Sequence, residues 1–281
     1  MECKRKKARE WKVRLNEEIR NDKRGIFITM TYSQQALKEL SRIVDEKSDI
    51  KLKGYNKTNE IATVSVRRFL ERWRKKNKKS VKHWLITELG QKGTERLHIH
   101  GILWTDKKKE EIEDIWKYGR IWIGEYVNEK TVNYIVKYVQ KNDEKHKNYN
   151  AKMLVSPGIG KNYINRIDAK NNTYKKGKTN EVYRTRTGIK LALPIYYRNK
   201  IYTEEERENL WLEKLDKEER WINGTRIDIS KGEEIYYKRL EVEREKNKRL
   251  KYGDNQKNWD KIRYDRQIKK IKKLKEIKRG S

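Results

Sequence analysis

Disulfides, prolines and long apolar runs are all scarce in this chain. Among 281 residues there is one cysteine, Cys3, and there are two prolines, Pro157 and Pro194. A single thiol excludes an internal disulfide framework and fits a reducing compartment, here expected to be the cytoplasm. No run of 18 apolar residues occurs, so neither a spanning helix nor a membrane partner is expected. The basic start, Met1-Glu2-Cys3-Lys4-Arg5-Lys6-Lys7, is followed by no apolar core and does not read as a secretory signal. Acidic residues are also short in supply, 42 against 73 Lys and Arg, for a formal net charge of +31. Such a charge costs stability by self-repulsion unless a polyanion screens it. Nucleic acid is the natural partner, with an anionic membrane surface as the alternative.

What is present is spread unevenly. Hydrophobic content of 34% against 41% charged would suggest disorder if it were uniform. Instead the apolar residues cluster between residues 25 and 202, whereas residues 231–281 hold 19 Lys and Arg against 9 Asp and Glu. We therefore divide the chain into residues 1–202, a domain with a basic helical lead-in, and residues 203–281, a basic and mainly helical extension. Nine tryptophans and seventeen tyrosines are many for so polar a chain. Most should build the core; rings among basic residues also suit stacking on unpaired bases. No fixed-period repeat is present.

The elements follow from hydrophobic period. Gly25 to Tyr32 reads as a strand, and Ser33 as the cap of a helix from Gln34 to Lys47 with Ala36, Leu37, Leu40, Ile43 and Val44 on one stripe. A polar loop over residues 50–59 leads to a second helix from Ile61 to Lys76. Val81 to Glu88 is a strand, Gly90-Gln91-Lys92-Gly93 a turn, and Arg96 to Trp104 the strand that pairs back on it. A short helix from Lys107 to Trp116, a strand from Gly119 to Tyr126 and a helix from Asn128 or Thr131 to Asn142 complete the order. This alternation predicts an α+β fold, a central antiparallel sheet flanked by helices.

Two of the four histidines, His98 and His100, lie one residue apart in the apolar run Leu97-His98-Ile99-His100-Gly101-Ile102-Leu103-Trp104. Residues two apart on a strand share a face, about 6.5–7 Å from each other at the backbone. Both imidazoles can then reach one metal ion. The short turn brings Glu88 beside the start of this strand as a third ligand. Two imidazoles and a carboxylate leave coordination positions open, as a catalytic metal needs. The expected ion is divalent, Mn²⁺ or Mg²⁺, with the imidazoles favouring the former. An isolated His-x-His is also what two solvent-facing strand histidines look like; the strand-end glutamate sets this pair apart. His83 and His146 lack that context and read as structural.

The helix after the last strand carries Tyr134 and Tyr138, four residues apart and so on one face, with Lys137 bordering them and Lys141 continuing the face. Val132, Ile135, Val136 and Val139 supply the stripe that docks this helix. A tyrosine can attack phosphorus and hold a cut DNA end as a phosphotyrosine ester. Its ordinary pKa near 10 makes it a poor nucleophile at neutral pH, so a metal-bound phosphate and the ammonium of Lys137 would have to help. The ester conserves the energy of the phosphodiester, which allows rejoining without ATP. Two tyrosines on one face allow alternation.

Four ordered segments resemble the HUH superfamily of rolling-circle replication initiators. They are Phe27 to Tyr32, Glu88 with Arg96 to His100, Tyr134 to Lys141, and Ser156-Pro157-Gly158-Ile159-Gly160-Lys161. The last of these, with Leu193-Pro194-Ile195-Tyr196-Tyr197-Arg198, resembles the two-tyrosine initiators of small single-stranded DNA phages, the Microviridae. The resemblance spans residues 25–210. It implies a ferredoxin- or RRM-like core and a protein that nicks a double-stranded origin. Such a protein stays joined to the strand through a 5′-phosphotyrosine and leaves a 3′-OH primer. It implies single-stranded DNA and the double-stranded origin as partners. No Gly-x-x-x-x-Gly-Lys-Ser/Thr loop is present, so unwinding would fall to a host helicase, with a host polymerase extending the primer. The alternatives are a single-tyrosine transposase or relaxase of the same superfamily, and a basic nucleic-acid-binding protein without chemistry. Chelator and His98→Ala would leave a pure binder unaffected. The lysine-rich extension has no counterpart in this resemblance.

Overall fold

A computed structural model describes residues 2–249 except 48–51, 91–94, 125–126, 141–145, 147–148 and 223–224. The expected turn at residues 91–93, Lys141, the ends of the strand at Glu125 and Tyr126 and of the helix at Asn142, and the tail from residue 250 onward lie outside the described residues.

The apolar run after Gly25 forms strand β1 (Gly25–Met30), and Ser33 Oγ accepts the Ala36 amide at 3.1 Å to start a helix. After a first helix α1 (Glu2–Asn21), the chain continues as α2 (Gln34–Lys47), α3 (Gly54–Asn77), β2 (Lys82–Leu89), β3 (Leu97–Trp104), α4 (Lys109–Trp116), β4 (Ile121–Gly124), α5 (Glu129–Gln140) and β5 (Met153–Val155). Helix α3 begins at Gly54, inside the predicted polar loop. The reason is tertiary: the Tyr55 ring packs edge-on against Tyr149 at 5.6 Å, and its hydroxyl meets His146 Nδ1 at 3.0 Å.

The five strands form one antiparallel sheet in the order β4-β1-β3-β2-β5. Strands β1, β2, β3 and β4 with their intervening helices make the split β-α-β arrangement of a ferredoxin-like core, and β5 adds a strand beyond β2. One sheet face presents Ile28, Met30, Leu85, Leu89, Leu97, Ile99 and Leu103 to α2, α3 and α4. The other presents Phe27, Trp84, Ile86, Ile102 and Trp104 to α1 and α5.

Helix α1 corrects an expectation. It is not a lead-in to the domain but part of its core: Trp11, Leu15 and Ile19 are buried against the sheet beside α5. Buried Glu18 accepts the Gly160 amide at 2.6 Å, and Arg14 donates to the Ile159 carbonyl at 3.0 Å. The Pro157–Lys161 turn is thus held down on α1. Gly160 has φ +73°, and a Cβ there would lie 2.6 Å from the Arg14 carbonyl oxygen, so this position requires glycine.

Downstream run a short helix α6 (Ile167–Lys170), the hairpin β6 (Val182–Arg184) and β7 (Lys190–Ala192), and α7 (Ile195–Ile201), which starts after Pro194. Tyr197, fully buried, donates its hydroxyl to the Gly160 carbonyl at 2.8 Å, so the two segments that resemble the phage initiators touch each other. Beyond residue 203 the chain is not all helix. Between α8 (Glu204–Asp216) and α9 (Glu234–Arg249) lies a hairpin of β8 (Glu219–Ile222) and β9 (Thr225–Asp228). No described helix is long and apolar enough to cross a membrane.

Candidate active site

Strand β3 serves both cores by alternation. Leu97, Ile99 and Leu103 enter the apolar face, so His98 and His100 fall on the face that α1 and α5 partly cover. Glu88 stands directly opposite His98 in the β2–β3 register, and Thr29 opposite His100 in the β1–β3 register.

The His100 ring is held from both nitrogens. Its Nδ1 lies 2.9 Å from Thr29 Oγ1 and its Nε2 lies 2.8 Å from Glu88 Oε2. Two donors bound to one divalent ion by bonds of about 2.1 Å at a right angle stand about 3 Å apart. The His100–Glu88 pair therefore has the spacing of neighbouring ligands. His98 shares the face, with its ring centroid 6.3 Å from that of His100. Its ring turns toward the backbone at Arg96 and lies over Gly90, whose Cβ would meet it at 3.4 Å. Among the described residues no three His, Cys, Asp or Glu side chains stand together at metal-binding spacing. The donor chemistry fits a divalent cation; the placement gathers two of the three expected ligands. Partial burial, and then the neighbouring His100, hold His98 below the ordinary imidazole pKa, which favours the neutral form that binds metals.

Asn128 starts α5 by accepting the Lys130 and Thr131 amides at 2.9 and 3.1 Å. Val132, Ile135, Val136 and Val139 are buried as expected. Docking on that stripe turns the tyrosine flank toward the histidines. The Tyr138 ring stacks on His100 with centroids 4.8 Å apart and planes 4° apart. The Tyr134 and Tyr138 hydroxyls are hydrogen-bonded at 2.7 Å, and the Tyr134 ring meets Phe27 edge-on at 6.1 Å. Burial, the Tyr134 hydroxyl and the Glu88 charge push the Tyr138 phenol well above its ordinary pKa. Lys137 is exposed and makes no hydrogen bond or ion pair among the described residues, so it is not drawn into this cluster.

His83 is a core residue, with Nδ1 2.9 Å from Ser156 Oγ and 3.0 Å from the Val81 carbonyl. His146 is buried against Tyr55. Sequence reasoning missed Thr29 as the partner of His100. The signal was the alternation of β1, which puts Thr29 and Phe27 on one face and Ile28 and Met30 on the other.

Residues 25–143 match the family model for the replication-associated protein ORF2. The match supports a replication-initiator-type protein, and it covers β1 through α5, hence all six candidate site residues. No curated protein and no solved structure matches the chain.

Proposed function

We propose that the protein initiates rolling-circle replication by nicking one strand of an origin and joining itself to the 5′ end through Tyr134 or Tyr138. The observation that carries this reading is the contact of Tyr138 with His100, which sets the paired hydroxyls beside a histidine–carboxylate pair. A packing tyrosine would not need a second hydroxyl at 2.7 Å or a polar sheet face beneath it.

His98, His100 and Glu88 would hold a divalent cation, Mn²⁺ or Mg²⁺, which would polarise a phosphodiester oxygen. Thr29 fixes the His100 ring so that Nε2 is the nitrogen presented to Glu88. In the nicking step the tyrosine oxygen forms a bond to phosphorus and the bond to O3′ breaks. The phenolic proton is lost to solvent and O3′ takes one up, leaving a 3′-OH. Lys137 neutralises charge on the phosphate as it swings over the helix face. Attack by a 3′-OH on the phosphotyrosine reverses these bonds and rejoins the strand. With no phosphate-binding Walker loop, the protein works with a host helicase and polymerase.

The test is incubation with a randomised single-stranded oligonucleotide pool and Mn²⁺, followed by mass spectrometry of tryptic peptides. The expected product is a nucleotide adduct on Tyr134 or Tyr138, lost with chelator and in the double Tyr→Phe variant. Adducts persisting in that variant would overturn the reading.

A further inference from the structure

Strand β4 is a sheet edge, and it carries a large exposed ring where packing does not need one. Trp122 is 59% exposed. Its indole is seated rather than loose. It meets Phe27 edge-on at 5.6 Å, and it lies along the strand over Gly124, whose Cβ would come within 3.2 Å of the ring. Thr29 stands opposite Trp122 in the β1–β4 register, so the indole shares its face with His100 and the tyrosines. Phe27 touches both Trp122 and Tyr134, making the aromatic surface continuous from the edge strand to the tyrosine pair. Arg120, two residues before, and Lys137 on the helix are both exposed cations, in a chain of net charge +31.

We propose that Trp122 is a stacking platform for one unpaired base of a single DNA strand, set beside the tyrosines so that the adjoining phosphate runs toward them. The inference builds on the nickase reading but concerns binding. A flat ring with one open face accepts any base, and cationic side chains beside it take the backbone. Gly124 supplies the room that lets the indole lie flat. Trp122 is a positioning residue: it sets where the strand sits, not the bond that breaks.

The experiment measures affinity by fluorescence anisotropy for labelled dT20 and for a 20-mer of abasic sites with the same charge, in chelator so that no chemistry intervenes. Trp122→Ala is expected to weaken dT20 binding about 10-fold, the usual effect of losing one base–aromatic stack, and to leave the abasic strand unchanged. Trp122→Tyr should retain most of the affinity. Gly124→Val, which displaces the ring, should reproduce the loss while Trp122 is still present. Equal affinity of Trp122→Ala and the parent for dT20, or equal loss on both strands, would overturn the proposal. A Tyr134→Phe/Tyr138→Phe protein serves as the control. If it still forms adducts while the dT20 difference stands, the nickase assignment fails and the platform does not.

Discussion

The two faces of one sheet are built on opposite rules. Against α2, α3 and α4 every inward side chain of β3 is aliphatic, and Ile99 and Leu103 are wholly buried. Against α1 and α5 the same strand shows Ile102 and Trp104 at one end and His98 and His100 at the other. The second face is apolar only as far as the helices cover it. Where cover stops, Thr29, Glu88 and the histidines satisfy one another and Tyr138 lies on top. The difference shows how a single strand can be rigid and reactive. The dry face fixes the backbone, and the backbone presents imidazoles to the open face without needing them for stability.

The largest expected effect breaks the open face alone. His100→Ala should lower adduct formation below detection, while the thermal midpoint stays within a few degrees of the parent, because the side chain it removes packs on a partly solvated surface. A matching fall in the midpoint would show that the ring is a core element. Next comes the dry face. Ile99→Ala, one residue away, should cost about 2–5 kcal/mol in denaturant unfolding, yet adduct yield per folded molecule should be unchanged. Thr29→Val sits between the two. It keeps the shape of β1 and removes the hydrogen bond to His100 Nδ1, so the metal concentration for half-maximal activity should rise about 10–100-fold, with little change in unfolding.

The contrast also explains what could be read in advance. The dry face writes itself into the sequence as alternation, so β1, β2, β3, α2 and the docking stripe of α5 were all legible. His98, His100, Glu88 and the tyrosine pair were legible because their spacing has a geometric meaning on a strand or a helix. What failed was information carried by partners distant in the chain. The N-terminal turns of α3 look like a loop until Tyr149 and His146 arrive to cover Tyr55. Helix α1 looks like a basic tail because its apolar residues, Trp11, Leu15 and Ile19, are separated by charges that face solvent or, at Glu17 and Glu18, bury against Arg166, Tyr183 and Gly160. Strand β5 has three residues, too few for a period. Charged β8 and β9 carry no apolar alternation at all.

The smallest expected effect sharpens the comparison through two histidines of different function. His83 is buried on β2 and its pKa is lowered, first by burial. The folded protein therefore resists protonating it, while the unfolded chain accepts a proton near the ordinary value of 6.5. Its contribution to stability is complete above that pH and is lost as the pH falls toward the folded value. The slope is at most about 1.4 kcal/mol per pH unit for one such group. The carboxylates held low, Asp22 beside Arg24 and Asp114 beside Lys76, act at lower pH and leave this window to the histidines. Urea midpoints measured from pH 7.5 down to 5 should fall in the parent and fall less in His83→Asn, which keeps a polar group toward the Val81 carbonyl but cannot take up a proton. His98→Asn, on the open face, should give a smaller change because water reaches that ring. An equal flattening by both would mean that the site is as dry as the core, and the distinction between the two faces would then have to rest on chemistry alone.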